Sequence, residues 1–359
     1  MIISDNTKTL LLLLKTVTSD DVECLKPAEA RSILDLLEKN NKNISNLLSD
    51  KKLLTLIESE KGIKESRLSK LLSNSMHLSI SLSEWSKLGI WIISVLDFQD
   101  YPIELKMRYR DKCPLIIFGS GDKQSLNKPG VGVVGSRTTT PDESKYAELS
   151  GKKFASKDIL LITGGARGID QDSMHGSLEN DGNVLCVLPA ELSSKVLDPG
   201  YRKYIEQKKL TFISTEMPDA PWTPGRAMAR NKYIYLLSNG VLVVASEKKG
   251  GTWTGAKECI KNKWVQVYVK PTTKNESGIN DLKKLGAIED NKLDLNEIRT
   301  SVNYELLTIK EISEYENKTD KAIKTMLTKK GISSLDRPFK TKKTSNKKNS
   351  DIKEQKELF

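Results

Sequence analysis

The chain has 359 residues, of which 37% are hydrophobic and 29% charged, and its formal net charge at pH 7 is +11. That length accommodates one large domain with one or two small ones, and the composition is typical of a soluble globular protein. No apolar run reaches the length of a membrane span, since the run Leu10–Leu14 ends at Lys15, and we predict no membrane-spanning segment. The positive charge favours a polyanionic partner, although surface lysines also serve solubility.

The cysteines indicate a reducing compartment. They lie far apart, without a CxxC pair or neighbouring histidines, so we predict free thiols and no metal site: Cys24, Cys113, Cys186 and Cys259. The N-terminus also lacks the basic and then apolar pattern of a signal peptide. We therefore expect a cytoplasmic protein in which Cys186 and Cys259, which stand in apolar patterns, are buried.

Residues 1–84 predict a small helical module. Apolar residues at helical spacing occur in Leu10–Leu14, Ala28–Glu38 and Leu53–Ile57, and polar turns separate them. These segments contain no catalytic constellation. We expect a module for packing or for interaction with a partner.

Residues 85–298 alternate short apolar runs with stretches that favour helix. Strands are predicted at Ile90–Leu96, Leu115–Phe118, Val131–Val134, Ile159–Thr163, Val184–Leu188, Phe212–Ser214, Val241–Ala245 and Val265–Val269. Helices are predicted at Pro141–Ser156, Gln171–Glu179, Ala227–Ser238 and Thr254–Lys261. The alternation predicts an α/β fold, a Rossmann-like, mostly parallel sheet with helices on both faces. Ligands of such sheets bind beyond the carboxyl ends of the strands.

Residues 299–339 favour helix again. Thr308–Ile312 and Asp320–Lys329 predict two helices joined by a turn, as in a helix-turn-helix or winged-helix-like module. Such a module either contacts DNA or serves packing and dimerisation, and the sequence leaves both open. The lysine-rich residues 340–359 predict a basic disordered tail.

One glycine pattern imitates a dinucleotide site. Gly130, Gly132 and Gly135 match the spacing GxGxxG, but the first two fall within the predicted strand instead of following it. Asp158, the nearest candidate for the acidic ribose-binding residue, precedes the next strand. We therefore predict no nicotinamide cofactor, and no other cofactor.

The residues after this strand favour an anion. Gly135-Ser136-Arg137 forms a loop, and Thr140–Glu143 is a capping box with proline at the first helical position. The free N–H groups of the helix start point towards the loop, and Arg137 adds a guanidinium suited to phosphate. An ion pair with a nearby carboxylate is the simpler alternative for Arg137, and we favour phosphate.

A second loop repeats this pattern one unit later. Gly164 and Gly165 permit positive φ and close backbone approach, while Arg167 adds a second guanidinium. We expect Asp170 to cap a helix that begins at Gln171. Two such loops at the ends of neighbouring strands predict one basic shelf for the phosphates of a nucleic-acid strand, or for a mononucleotide.

These loops belong to a series of motifs that resembles the DprA/Smf (DNA-processing protein A) family. The series spans roughly residues 85–290 and consists of Asp100–Pro102, Gly135–Arg137, Thr163–Asp170, Ala229–Lys232 with Leu237-Ser238, Gly250–Ala256 and Ser277–Leu282 with Gly286-Ala287. The chain departs from the family where Lys232 replaces an arginine and Gly255 a threonine. Trp253 is an unexpected aromatic residue that either stacks on a base or packs under its loop.

The resemblance implies a homodimeric protein that binds single-stranded DNA and helps to load a RecA-type recombinase onto the strand, often during DNA uptake. By matching position it implies that the strand contacts Gly135, Ser136, Arg137, Gly164, Gly165, Arg167, Gly168, Arg230, Asn231, Lys232, Gly251, Thr252 and Lys195. Lys195 lies where the sequence departs from the family.

Two alternatives share the predicted fold. A nucleoside-monophosphate phosphoribohydrolase needs the pattern PGGxGTxxE, which Lys249–Thr254 approximates, but Trp253 replaces the glycine at its fifth position. Glu258 stands one residue out of register, and on a helix this turns the carboxylate by about 100°. We therefore predict no catalysis. A sensor that binds a nucleotide would use the same loops, and the sequence leaves this alternative open.

Overall fold

A mixed sheet organises the computed structural model, which describes residues 3–15, 22–272 and 278–300 together with residues 321 and 325. In this described part the sheet has nine strands: β1 Ile90–Ser94, β2 Ile116–Ser120, β3 Gly130–Val134, β4 Leu160–Thr163, β5 Val184–Val187, β6 Leu210–Ser214, β7 Gly240–Val243, β8 Val267–Val269 and β9 Ile288–Glu289. Their order is β1-β2-β6-β5-β4-β3-β7-β8-β9. The strands from β6 to β9 in this order run parallel, while β2 pairs antiparallel with β1 and β6. The predicted mostly parallel sheet is confirmed.

Helices cover both faces of the sheet. Within the described residues they are α1 Asp5–Leu14, α2 Pro27–Lys39, α3 Lys51–Lys61, α4 Glu65–Ser73, α5 Ser75–Lys87, α6 Ile103–Tyr109, α7 Pro141–Ala155, α8 Ile169–Leu178, α9 Leu192–Leu197, α10 Pro199–Glu206, α11 Pro224–Leu237, α12 Gly251–Asn262, α13 Gly278–Leu285 and α14 Leu295–Thr300. Side chains of a strand alternate between faces. Along β4, Leu161 joins the core that contains α7 and α8, whereas Leu160 and Ile162 join the core that contains α11 and α12.

The helices α1–α5 pack onto the sheet instead of standing apart. Their buried leucines and isoleucines belong to the same core as one face of the sheet, and Trp85 of α5 meets Phe118 of β2 edge to face at 5.7 Å between ring centroids. At the start of α1, the Thr7 hydroxyl donates to Asp97 just after β1 at 2.6 Å. The helices α4 and α5 were not among the predicted segments, because serine is frequent on both sides of their short apolar stripes.

Several predicted boundaries shift by a few residues, and three shifts affect the site. The helix α8 begins at Ile169 instead of Gln171, α11 begins at Pro224 instead of Ala227, and α12 begins at Gly251 instead of Thr254. The short strand β9 was not predicted. From residue 301 on, the predicted winged-helix-like module and basic tail lie outside the described residues, apart from residues 321 and 325. Among the described helices, none is long and apolar enough to cross a membrane.

Candidate functional site

The strand order creates a crevice between β3 and β7. The chain adds β4, β5 and β6 on one side of β3 and then crosses to place β7 on the other side. At such a switch point the loops after the two central strands diverge and leave room for a ligand. A cavity of about 380 Å³ occupies this position, within the usual range of small-ligand sites of about 300–1,000 Å³. Its walls come from the loops after β3, β4 and β7, from one side of α11 along most of its length and from the first turn of α12.

The loop Gly135–Arg137 is held between its neighbours. The Ser136 N–H donates to Ala245 O after β7 at 3.0 Å, and the Ile169 N–H donates to Ser136 O at 3.3 Å. The Ser136 hydroxyl donates to Thr138 O at 2.6 Å, so it serves the turn. The loop lines the cavity and carries the exposed Arg137 side chain. After it, the predicted capping box of α7 forms at Thr140.

The loop Gly164–Gly168 has a different place. Gly165 and Gly168 adopt φ of +66° and +80°, which glycine tolerates without strain. A Cβ on Gly164 would lie 1.6 Å from Nη1 of Arg230, so this glycine makes room for a guanidinium of the protein itself. Ala166 lines the cavity, whereas the glycines and the exposed Arg167 do not.

Arg230 lies beneath the cavity with part of its guanidinium unsatisfied. Its side chain lines the cavity but is only 6% exposed, and its Nε and Nη1 have no hydrogen-bond partner among the described residues. Burial lowers its pKa, which nevertheless leaves an arginine charged. An unsatisfied buried donor costs about 1–3 kcal/mol, and more where the group is charged. A bound anion would relieve that cost.

Asp170 is the buried carboxylate near this arginine. It was predicted to cap α8, but the helix already begins at Ile169 with Gly168 as its N-cap, so the prediction was wrong. The carboxylate instead accepts the Ala166 N–H at 3.3 Å. Burial raises the pKa of Asp170 to about 6, although the charge of Arg230 and backbone N–H groups of both loops act in the opposite direction.

The start of α12 forms another wall. Thr252 Oγ1 donates to Gly135 O at 2.9 Å and fixes the helix start to the loop after β3. A Cβ on Gly251 would lie 2.6 Å from Nδ2 of Asn231, so the two helices approach closely here. The positive end of this 12-residue helix therefore borders the cavity together with the exposed Lys249.

The cavity thus unites only part of the predicted set. It contains Gly135, Ser136, Arg137, Arg230, Asn231, Gly251 and Thr252. Lys232 instead lies over the rings of Tyr109 and Tyr233, at 5.3 and 5.2 Å from their centroids. Lys195 lies on α9, outside the cavity lining, and its Nζ is 4.0 Å from Oδ2 of Asp198. As DNA contacts, the predicted residues stay predictions, whether they line the cavity or lie outside it.

Sequence reasoning missed other residues at the cavity, namely Trp222, Met228, Tyr235, Glu247 and Lys249. Trp222 stands directly before Thr223-Pro224, the start signal of α11, and this position was the available clue. Trp253 packs against the core, with Lys257 at 5.5 Å from its ring centroid, so the packing alternative describes it. Glu258 does not line the cavity.

The fold and the cavity define a Rossmann-like protein with a crevice at its switch point that is lined by the cationic side chains of Arg137, Arg230 and Lys249. Residues 92–297 match the family described as DNA recombination-mediator protein A. The match covers more than half of the chain, and the protein belongs to this family, as its motifs predicted.

Individual relatives are more distant. The chain is 25% identical over 191 residues to the DNA processing protein DprA of Bacillus subtilis, covering 50% of this chain and 60% of that protein. It is 29% identical over 165 residues to the DprA of Streptococcus pneumoniae, covering 44% and 55% of the two chains. The matched regions thus span little more than half of these relatives. The X-ray structure of the S. pneumoniae protein superposes with a TM-score of 0.61 at 20% identity, over 80% of this chain and 95% of that one, and shows the same fold.

Proposed function

We propose that this chain binds single-stranded DNA in the cavity between β3 and β7 and acts in the cytoplasm as a recombination mediator. The observation that carries the proposal is Arg230, a buried guanidinium with unsatisfied donors beneath an open cavity. Arg137 and Lys249 add two exposed cations at the same cavity. Membership of the recombination-mediator family supports a nucleic-acid strand as the anion.

The geometry favours a strand that is not paired. Guanidinium groups and helix N–H groups bind phosphates without reading base edges, so they hold a strand whatever its sequence. A cavity of about 380 Å³ has room for roughly one nucleotide. In a duplex each base is paired with a base of the second strand, so a single nucleotide is not free to enter such a cavity. We therefore propose that single strands bind more tightly than duplexes.

The proposal includes no catalysis. Glu258, which the phosphoribohydrolase alternative requires, stays outside the cavity lining. Within the described residues no group of three His, Cys, Asp or Glu side chains could hold a metal ion. The size of the cavity also suits a free mononucleotide, and the nucleotide sensor is therefore the second candidate.

Fluorescence anisotropy tests the proposal. Labelled oligo-dT, the corresponding duplex and a labelled mononucleotide are titrated with the full chain at several salt concentrations. We expect oligo-dT to bind most tightly, with an affinity that falls as salt rises. Arg230→Ala and Arg137→Ala should each weaken binding by about tenfold to a hundredfold, because each removes charge-assisted hydrogen bonds.

Lys52→Ala is the matched control, since it removes one exposed charge from α3. It should change the affinity little. If the mononucleotide binds as tightly as oligo-dT, the sensor replaces the mediator. If both arginine variants bind oligo-dT like the wild type, the cavity is not the DNA site.

Dimerisation and RecA loading follow from the family resemblance and belong to the same proposal. We expect sedimentation of the full chain to give a dimer. We also expect the chain to accelerate nucleation of a RecA-type recombinase on single strands, measured as the lag before its DNA-dependent ATPase activity. An unchanged lag would remove the mediator role without removing DNA binding.

A further inference from the structure

An exposed aromatic side chain stands at the mouth of the cavity. The described residues include a set of large exposed hydrophobic side chains: Leu48, Met76, Ile80, Leu96, Leu149, Leu197, Trp222, Met228 and Leu285. Trp222 is the aromatic member of this set, and it is 44% exposed. Trp222 and Met228 both line the cavity. The exposed apolar surface is therefore placed next to the cationic groups.

The backbone on either side of Trp222 is fixed. Before it, Pro221 O accepts a hydrogen bond from Nη1 of Arg226 at 2.5 Å. After it, the Thr223 hydroxyl accepts the Arg226 N–H at 3.1 Å as the N-cap of α11. An indole on such a backbone loses little conformational entropy when a flat group stacks on it.

The lining of the cavity has two chemical parts. Arg230 lies at its base, and Arg137 and Lys249 provide further positive charge. At the start of α11 the wall has an apolar part, formed by Trp222 just before the helix and by Pro224 and Met228 in its first turns. A nucleotide has the same two parts, an anionic phosphate and a flat base with an apolar face.

We propose that Trp222 is the base-stacking platform of this site, with Met228 as an apolar contact at its edge. The inference rests on the proposed binding of single-stranded DNA and adds the recognition of a nucleobase to that of phosphate. The base of a nucleotide whose phosphate meets Arg230 and Arg137 lies on the indole. Stacking accepts any base, since every base has a π-face.

Base stacking and phosphate contacts can be distinguished by comparing the binding of two kinds of strand. An oligo-dT offers phosphates and bases, while a strand of abasic residues of the same length offers phosphates alone. Trp222→Ala should weaken binding of oligo-dT by about fivefold to a hundredfold, the usual range for one stacked base. The same variant should bind the abasic strand like the wild type, and the salt slope should not change because the number of phosphates held stays the same.

Two further variants complete the test. Trp222→Phe keeps an aromatic face and should retain most of the affinity for oligo-dT. Leu197→Ala removes an exposed apolar side chain outside the cavity and should leave both affinities unchanged. The circular dichroism spectra and melting temperatures of all variants report whether each one is folded.

The outcomes separate this inference from the proposed function. If the wild type binds oligo-dT and Trp222→Ala matches it, the stacking platform is overturned and strand binding stands. Equal weakening on both strands would also overturn it, because Trp222 would then act only by shaping the phosphate site. If the wild type binds neither strand, the proposed function itself fails.

Discussion

The loops after β3 and β4 have similar sequence patterns but different roles in the structure. Each follows an apolar strand with glycines, one arginine and a helix. The loop after β3 lines the cavity with Gly135, Ser136 and Arg137. The loop after β4 mainly supports it, since Gly164 accommodates Arg230 and Asp170 balances part of that charge. The same local pattern therefore serves ligand contact in one place and the positioning of a distant arginine in the other.

The largest loss of affinity for oligo-dT is expected from adding a side chain at Gly164, in the loop after β4. A methyl group at position 164 would collide with the guanidinium of Arg230, which must leave its site. Gly164→Ala should therefore reduce binding of oligo-dT at least as much as Arg230→Ala, although residue 164 does not line the cavity. Anisotropy measures the affinity and thermal unfolding the stability.

Gly225→Ala is the matched control for this change. Its Cβ would meet nothing closer than 3.9 Å, and it lies in the first turn of α11. It should stabilise the protein slightly, by up to about 1 kcal/mol, and leave the affinity unchanged. Normal DNA binding by Gly164→Ala would contradict the supporting role of the second loop.

An intermediate effect should distinguish the two loop arginines. Arg137 lines the cavity and Arg167 does not, although both are exposed. Arg137→Ala should cost about tenfold to a hundredfold in affinity for oligo-dT, whereas Arg167→Ala should cost only a few fold through the weaker, salt-screened field. Equal losses measured by anisotropy would restore the single shelf across both loops that the sequence predicts.

The smallest effect concerns pH. Asp170 has a pKa of about 6, and its neighbours Arg230 and the buried Cys186 thiol keep their charge states around that value. Above pH 6 the carboxylate competes with phosphate for the guanidinium, and below it the competition ends. The affinity for oligo-dT should therefore rise severalfold as the pH falls through 6, and Asp170→Asn should remove this dependence.

The ionisation of Asp170 should also affect how the folding stability depends on pH. The pKa of Asp170 in the folded protein lies above its ordinary value of 3.8, so the folded state holds this proton more tightly than the unfolded state does. The resulting stability is fully present below about pH 4 and is lost as the pH rises towards 6. Denaturant unfolding at a series of pH values should show this slope in the wild type and not in Asp170→Asn.

The sequence was sufficient to locate eight of the nine described strands and the start of α7. Strong apolar runs located the strands, and the capping box at Thr140 located the start of α7. Which loops meet depended on the crossing from β6 to β7, a long-range pairing that local patterns do not contain. The neighbours β3 and β4 therefore suggested a shelf across their two loops, while the cavity lies between β3 and β7.

The sequence also did not predict the direction in which individual side chains point. Arg230 and Lys232 belong to one basic segment, yet two residues on a helix are about 200° apart. Arg230 accordingly reaches the cavity, and Lys232 lies over Tyr109 and Tyr233. Trp222 stands outside any helical or strand period, so only the folded chain shows where its indole lies.

The hydrogen bonds that hold Ser136 to Ala245 and Ile169 have a kinetic consequence. The loop that carries Arg137 is already ordered when a ligand arrives, so association requires no slow rearrangement of this backbone. Variants of the cavity should then share similar association rates and differ in how long a strand remains bound. Residence time, measured by stopped flow, is therefore the quantity in which the contacts of the individual side chains become visible.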